Sequence, residues 1–184
     1  GCMNVTLNTT LINNITVNQP ASLVANQSCV NITGSNLTFD CNNFWITGNN
    51  VENTTAIWVG GNNVTIQDCL IQNFSYSIFS KGNYTTIFNN TIFVPLNFTA
   101  NSQWWQGVWM NASLGGNISF NLFSNAVGRY GTPSSPLVPS SIMLTTMKNT
   151  TVEGNNFTNT GTGIFAVFLN ATNYSSVISN NFSG

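Results

Sequence analysis

A nine-residue frame recurs at least six times along this chain, and it leaves little choice of fold. The frame runs Asn, a spacer, Thr, an apolar residue, two free positions, Asn, a free position and an apolar residue. Its clearest copies are NLTFDCNNF from Asn36, NVTIQDCLI from Asn63, YTTIFNNTI from Tyr84, NTTVEGNNF from Asn149 and YSSVISNNF from Tyr174, and GGNISFNLF from Gly115 fits the same frame. Within a copy the apolar residues alternate as a strand with one buried face requires, for example Val64 with Ile66 and then Ile71 after a turn. Upstream of the copies lie second short strands: Val30-Asn31-Ile32, Ile57-Trp58-Val59, Ile78-Phe79-Ser80, Val108-Trp109-Met110, Ile142-Met143-Leu144 and Ile164-Phe165-Ala166.

Several short strands per period of roughly 21 to 34 residues, with no helical periodicity, predict that each coil pairs with its neighbours as parallel sheet. The expectation is an all-β parallel solenoid of about six to seven coils. It forms one domain over residues 1–184, with 1–27 as a first coil or as a donated or capping strand segment. A β-sandwich is the second choice, although the Asn-Gly and Asp-Gly hairpin signals it favours are absent. The second Asn of the frame gives the series Asn42, Asn90, Asn121, Asn155 and Asn180, with Cys69 in the same place. An amide both donates and accepts, so these side chains are expected to stack as an internal ladder with a structural role.

On these repeats the chain resembles the right-handed parallel β-helix family of pectin-lyase-like proteins, especially the short repeats of its secreted archaeal and periplasmic members. The resemblance covers about residues 28 to 184. It implies the architecture and no particular activity, because that fold hosts lyases, hydrolases, adhesins and structural rods alike.

The second conspicuous feature is N-glycosylation sequons. There are 19 of them: Asn4, Asn8, Asn14, Asn26, Asn31, Asn36, Asn53, Asn63, Asn73, Asn83, Asn89, Asn97, Asn111, Asn117, Asn149, Asn156, Asn170, Asn173 and Asn181. Random placement of 33 Asn among 41 Ser and Thr in 184 residues would give 33 × 41/184, about 7. The excess points to an exported glycoprotein at the cell surface or outside the cell. The alternative is that a repetitive β fold favours both Asn and Thr, so that sequons arise as its by-product.

Composition agrees with export. Only Asp40, Glu52, Asp68, Lys81, Arg129, Lys148 and Glu153 carry formal charge, so glycans are the natural substitute for charge-based solubility, and an acidic setting would change this surface little. No basic stripe exists to neutralise phosphates, which argues against nucleic acid as a partner, and no apolar run reaches the length of a membrane span.

Four cysteines allow three pairings. Cys2 and Cys29 are 27 residues apart and Cys41 and Cys69 are 28 apart, each close to one coil. Residues one coil apart lie about 4.8 Å from one another, inside the disulfide window, so these two pairs are expected. A Cys29 to Cys41 bond, leaving Cys2 for an intermolecular link, is the alternative. With no CxxC and no His, a metal site is not expected, and no cofactor is implied.

Enzymes built on this architecture gather acidic residues on one outer sheet, whereas Asp40, Asp68 and Glu153 are spread over separate repeats. No catalytic residues are assigned. Two insertions, Phe93 to Gly107 with Trp104-Trp105 and Ser124 to Ser141 with Arg129-Tyr130, occupy the same place in consecutive coils. They are expected either to present Trp104, Trp105 and Tyr130 to a subunit or a glycan, or to fold over their own coils.

Neither end of the column carries an evident polar cap, and an uncapped solenoid end is a template for another chain. The leading expectation is therefore a subunit of a heavily N-glycosylated extracellular filament whose partners are copies of itself, joined head to tail. Its composition is similar to that of glycosylated archaeal thread-like pili. The rivals are a carbohydrate-binding adhesin or recognition spike and, behind it, a polysaccharide lyase or hydrolase.

Overall fold

The structure is a computed structural model describing residues 2–17, 27–51, 53–93, 105–126, 140–160 and 165–183. Its strands fall into seven successive triplets. The first coil comprises Met3–Val5, Thr9–Thr10 and Ile15–Thr16; the second Ser28–Ile32, Leu37–Asp40 and Trp45–Thr47; the third Thr55–Val59, Val64–Gln67 and Leu70–Gln72. The fourth has Tyr76–Ser80, Thr85–Phe88 and Thr91–Phe93; the fifth Gln106–Asn111, Leu114–Ser119 and Leu122–Ala126. The sixth has Ser140–Thr145, Lys148–Glu153 and Asn156–Thr160; the seventh Phe165–Asn170, Ser176–Ile178 and Asn181–Ser183.

Each coil gives one strand to each of three seven-stranded sheets, here A, B and C in chain order. Every neighbouring pair is parallel, for example Leu37 to Asp40 against Val64 to Gln67. This is a parallel β-helix of seven coils, as the repeat requires, and not a sandwich. Adjacent coils are offset by as few as 21 residues and as many as 34, because the insertions after Phe93 and after Ala126 both fall between sheets C and A.

The core is a set of columns parallel to the axis. On sheet C, Ile15, Ile46, Ile71, Ile92, Phe123, Phe157 and Phe182 stand in register, and the last three rings stack 5.0 Å apart at interplanar angles of 9° and 6°. On sheet B the matching column is Phe39, Ile66, Ile87, Ile118, Val152 and Val177. Stacking like on like in this way buries apolar surface at every rung, about 1.5 to 3 kcal/mol for each large side chain.

The frame itself has a backbone reason. Its first position is left-handed in all six copies, at Asn36, Asn63, Tyr84, Gly115, Asn149 and Tyr174, with φ between 53° and 66°. Asn and Gly adopt that region most readily. The position before the ladder residue is left-handed too, at Asp68, Asn89, Phe120, Gly154 and Ser179. A third requirement is closeness: at the corner between sheets A and B, a Cβ on Gly61 would strike the Gly34 carbonyl and one on Gly82 the Gly61 carbonyl.

Three expectations need correction. In the first copy the corner holds four residues, Cys41 to Phe44, where the next coil has two, so Ile46 rather than Phe44 joins the inner column. Asn42 therefore sits outside the ladder, exposed and with φ 49°. In the last coil the strand is Phe165–Asn170, with Val167, Phe168 and Leu169 opposite Ile142, Met143 and Leu144, three residues later than the expected Ile164-Phe165-Ala166. Finally, the ends differ from one another: the inward residues of the first coil are closed off, while those of the seventh are exposed.

Candidate functional site

The chemistry of this chain is distributed along its column, and three parts of it can be followed residue by residue. The first is the buried corner between sheets B and C. Here Asn90, Asn121, Asn155 and Asn180 form a continuous chain: each Nδ2 donates to the Oδ1 of the next, at 2.9 Å from Asn90 to Asn121 and 3.0 Å for the two later steps. Each Oδ1 also accepts from the backbone N–H of the previous rung, starting with Cys69 N to Asn90 Oδ1 at 2.9 Å. The remaining Nδ2 hydrogens go to strand-end carbonyls such as Ile66, Ile87 and Ile118. The amides thus pair corner backbone groups that would otherwise be buried and unsatisfied, which costs about 1 to 3 kcal/mol per group.

In the earlier coils the same buried corner holds sulfur. Cys41 and Cys69 are joined with Cα atoms 4.7 Å apart, and Cys2 is joined to Cys29 at 4.5 Å. Both bonds are the expected pairs, each linking neighbouring coils. Such bonds fit an oxidising, non-cytoplasmic setting. No helix among the described residues is long and apolar enough to cross a membrane.

The second part is the sequon surface. Asn26 and Asn97 lie outside the described residues. None of the other 17 sequon asparagines is buried: ten are exposed and seven are partly exposed. The fully buried asparagines, Asn90, Asn121 and Asn155, all belong to the ladder, and none of them heads a sequon. Backbone demand accounts for some sequons, since Asn36, Asn53, Asn63, Asn73, Asn89 and Asn149 are left-handed. Others hold a neighbouring coil, with Asn8 Oδ1 accepting from Thr38 N, Asn14 Oδ1 from Trp45 N and Asn83 Oδ1 from Leu114 N. These three contacts use the oxygen and not the nitrogen to which a glycan would attach. By contrast Asn63, Asn89 and Asn181 donate through Nδ2.

No family model matches the chain, and comparison finds no similar curated protein and no similar solved structure.

The third part is a column of side chains on the outer face of sheet A that the repeat alone did not single out. Asn4, Asn31, Trp58, Phe79, Trp109, Met143 and Phe168 stand in register, each between two residues that point inward. Phe79 and Trp109 stack with centroids 4.6 Å apart, Lys81 Nζ lies 5.7 Å from the Phe79 centroid, and Trp109 Nε1 donates to Thr145 Oγ1 at 2.8 Å. Tyr76 flanks the stack, 5.6 Å from Trp109; its burial raises the phenol from 10.0 to about 12, so it stays neutral throughout the ordinary pH range. The sequence signal for this column was the middle residue of each Ile-x-Val-like triplet, which core-seeking pattern matching passes over.

The expected contact residues fare differently. Trp104 and Tyr130 lie outside the described residues. Trp105 is 4% exposed and packs in the hydrophobic core, so it is not a surface contact. A large aromatic beside a short polar spacer looks exposed in sequence, but here it enters the core at the start of the fifth coil's first strand.

Asp40 and Asp68 are engaged structurally. Gln67 Nε2 bridges Asp40 Oδ2 at 3.1 Å and Asp68 Oδ2 at 3.2 Å, Asn89 Nδ2 donates to Asp68 Oδ1 at 2.7 Å, and Asn42 N donates to Asp40 Oδ1 at 2.7 Å. Among the described residues, no group of three or more His, Cys, Asp or Glu gathers in one place.

Proposed function

We propose that this protein is a structural subunit of an N-glycosylated extracellular filament, in which the seventh coil of one copy is covered by the first coil of the next. The observation that supports this reading is the exposed end rung. Leu169, Val177 and Phe182 occupy inward columns that are fully buried two coils earlier, yet they are 44%, 39% and 58% exposed. The strands Phe165–Asn170, Ser176–Ile178 and Asn181–Ser183 are each last in their sheets, so three strand edges open in the same direction. Another parallel rung would satisfy both the apolar surface and the edges.

Stacking of whole coils is favoured over donation of residues 1–27. The Cys2–Cys29 bond ties the first coil covalently to the second within one chain. The contact is then heterologous, between different faces, and a rotation that does not close gives a fibre. Glycans at the exposed sequons would keep such fibres apart along their sides, where few charges do so.

Electron microscopy and sedimentation of the native full-length protein test the proposal. The expected result is a fibre with an axial repeat of about 34 Å, seven rungs at about 4.8 Å each. Introducing Val177→Asp with Phe182→Asp should weaken association at least about 100-fold, because two carboxylates would be buried unpaired, while leaving the isolated column folded. Discrete particles for the native protein would mean that the end rung is covered by further coils of its own polypeptide or by another partner, and would overturn the filament reading.

A further inference from the structure

The outward column on sheet A runs directly from a sequon into an aromatic surface. Asn31 is paired in register with Trp58, one rung above it on the same face. Side chains so paired lie about 5 Å apart at their Cβ atoms. Above Trp58, Phe79 is already covered by Trp109 and Lys81, but Trp58 pairs with none of these rings. Its indole folds over Gly60, where any Cβ would strike the six-membered ring, and it remains partly exposed.

Below Trp58 the surface opens. A hollow of about 430 Å³ is lined by Asn4, Asn31, Gln27, Ser28 and the Cys2–Cys29 bond, so among the described residues Asn31 borders open space. A glycan attached there has room for its first sugar, and the Trp58 ring stands on the next rung of the same face, within reach of the sugars that follow. Pyranose rings present a face of C–H groups that packs on aromatic rings, and an indole offers the largest such surface of any side chain.

We infer that the glycan on Asn31 docks back on the protein, with its inner sugars lying across Trp58 and seated in the hollow beside the first disulfide. This rests on the glycosylated reading proposed above. In this arrangement the sugar covers an indole that stacks on no other ring among the described residues, and it roofs the joint between the first and second coils. The glycan acts there as a packed structural element and not only as a solvated coat.

The test uses the full-length glycoprotein. Glycopeptide mass spectrometry first reads occupancy at Asn31, and NMR then reads the inner-sugar ring protons, which the indole ring current should move upfield. The shift is expected to vanish in Trp58→Leu with the glycan still attached. In Asn31→Gln, which keeps every aromatic ring, the Trp58 indole N–H resonance should move, and that arm stands even if the leucine variant folds poorly. An occupied Asn31 whose sugar resonances are the same with and without the indole would overturn the inference and leave the sugar coat intact. A bare Asn31 among occupied sites would do the same. Bare sites throughout would sink the glycoprotein reading itself. If a free oligosaccharide added to Asn31→Gln perturbed Trp58 in place of the attached one, the ring would belong to an external glycan and the inference would fail.

Discussion

The first three coils and the last four hold the same column together by different chemistry. Among the described residues up to 73, every left-handed position that is not Gly is Asn or Asp: Asn36, Asn42, Asn43, Asn50, Asn53, Asn63, Asp68 and Asn73. Among those from 84 onward only Asn89 and Asn149 are of that kind, and Tyr84, Ala112, Phe120, Thr146, Ala171, Tyr174 and Ser179 take the strained conformation instead. The buried corner changes in parallel, from a disulfide at Cys41 and Cys69 to an amide ladder from Asn90 to Asn180. The early coils are relaxed and covalently stitched; the later ones accept backbone strain and rely on a hydrogen-bonded spine.

The ends follow the same division. The inward residues Val5, Leu11, Ile15 and Val17 in and beside the first coil are 2% to 5% exposed, whereas the inward residues Leu169, Val177 and Phe182 in the seventh are 39% to 58% exposed. A closed, cross-linked start and an open, non-covalent finish give the column a polarity. In the proposed filament, head-to-tail growth would make use of such polarity, with the stable end as template for the exposed one.

The largest effect that would break this comparison is expected at the stitch. Replacing Cys41 and Cys69 together by Ala removes a bond that closes a loop of 28 residues, and should cost about 3.5 kcal/mol in a denaturant titration. If the early coils lost no more stability than the later ones after this change, as read by hydrogen exchange on Leu37–Asp40 and Val64–Gln67 against Lys148–Glu153, the stitched half would not depend on its stitch.

Next in size is the ladder. Asn121→Ala leaves the Asn90 N–H and the carbonyls of Ile87 and Ser119 without their amide partners in a fully buried corner, and an expected loss of about 3 kcal/mol follows. Asn180→Ala removes the same kinds of bond at a partly exposed corner that water can reach, so about 1 kcal/mol is expected. Equal losses at the two positions, by thermal or chemical unfolding, would mean that the seventh coil is as well covered as the fifth, and that its end is not open.

Most of this architecture was legible in the sequence because the repeat states its own physics. Thr38, Thr65 and Thr86 mark one outward column, Phe39, Ile66 and Ile87 the inward one beside it, and the cysteine spacing matches one coil. What escaped has local causes. The first corner keeps the frame's letters but holds two more residues, so Asn42 reads as a ladder residue while facing solvent. The run Ile164 to Leu169 alternates acceptably in two frames, and only pairing with Ile142 to Leu144 selects one. Trp105 and Trp58 lie opposite to their prominence in the sequence: the conspicuous tryptophan is buried, and the one inside a strand triplet faces outward. The difference between the ends depends on what lies above and below a coil, which no single repeat encodes.

The smallest effect concerns the strained corners, and it tests whether the second half tolerates them or needs them. Thr146 is exposed at φ 56°, a conformation that its branched Cβ opposes at a cost of about 1 to 2 kcal/mol. Its backbone N–H donates to Asn170 O at 2.8 Å, which fixes the turn regardless of the side chain. Thr146→Asn gives that turn the residue type used in the early coils and should raise stability by about 1 kcal/mol without altering the fold. A gain of this size at Thr146, repeated by Ala112→Asn and Ala171→Asn at the same place in the neighbouring coils, would show that these corners differ from the Asn-held ones only in how well their residues fit. If Thr146→Asn instead left stability unchanged or lowered it, the threonine would be making a contribution beyond its backbone, and the contrast between relaxed and strained corners would lose its energetic basis.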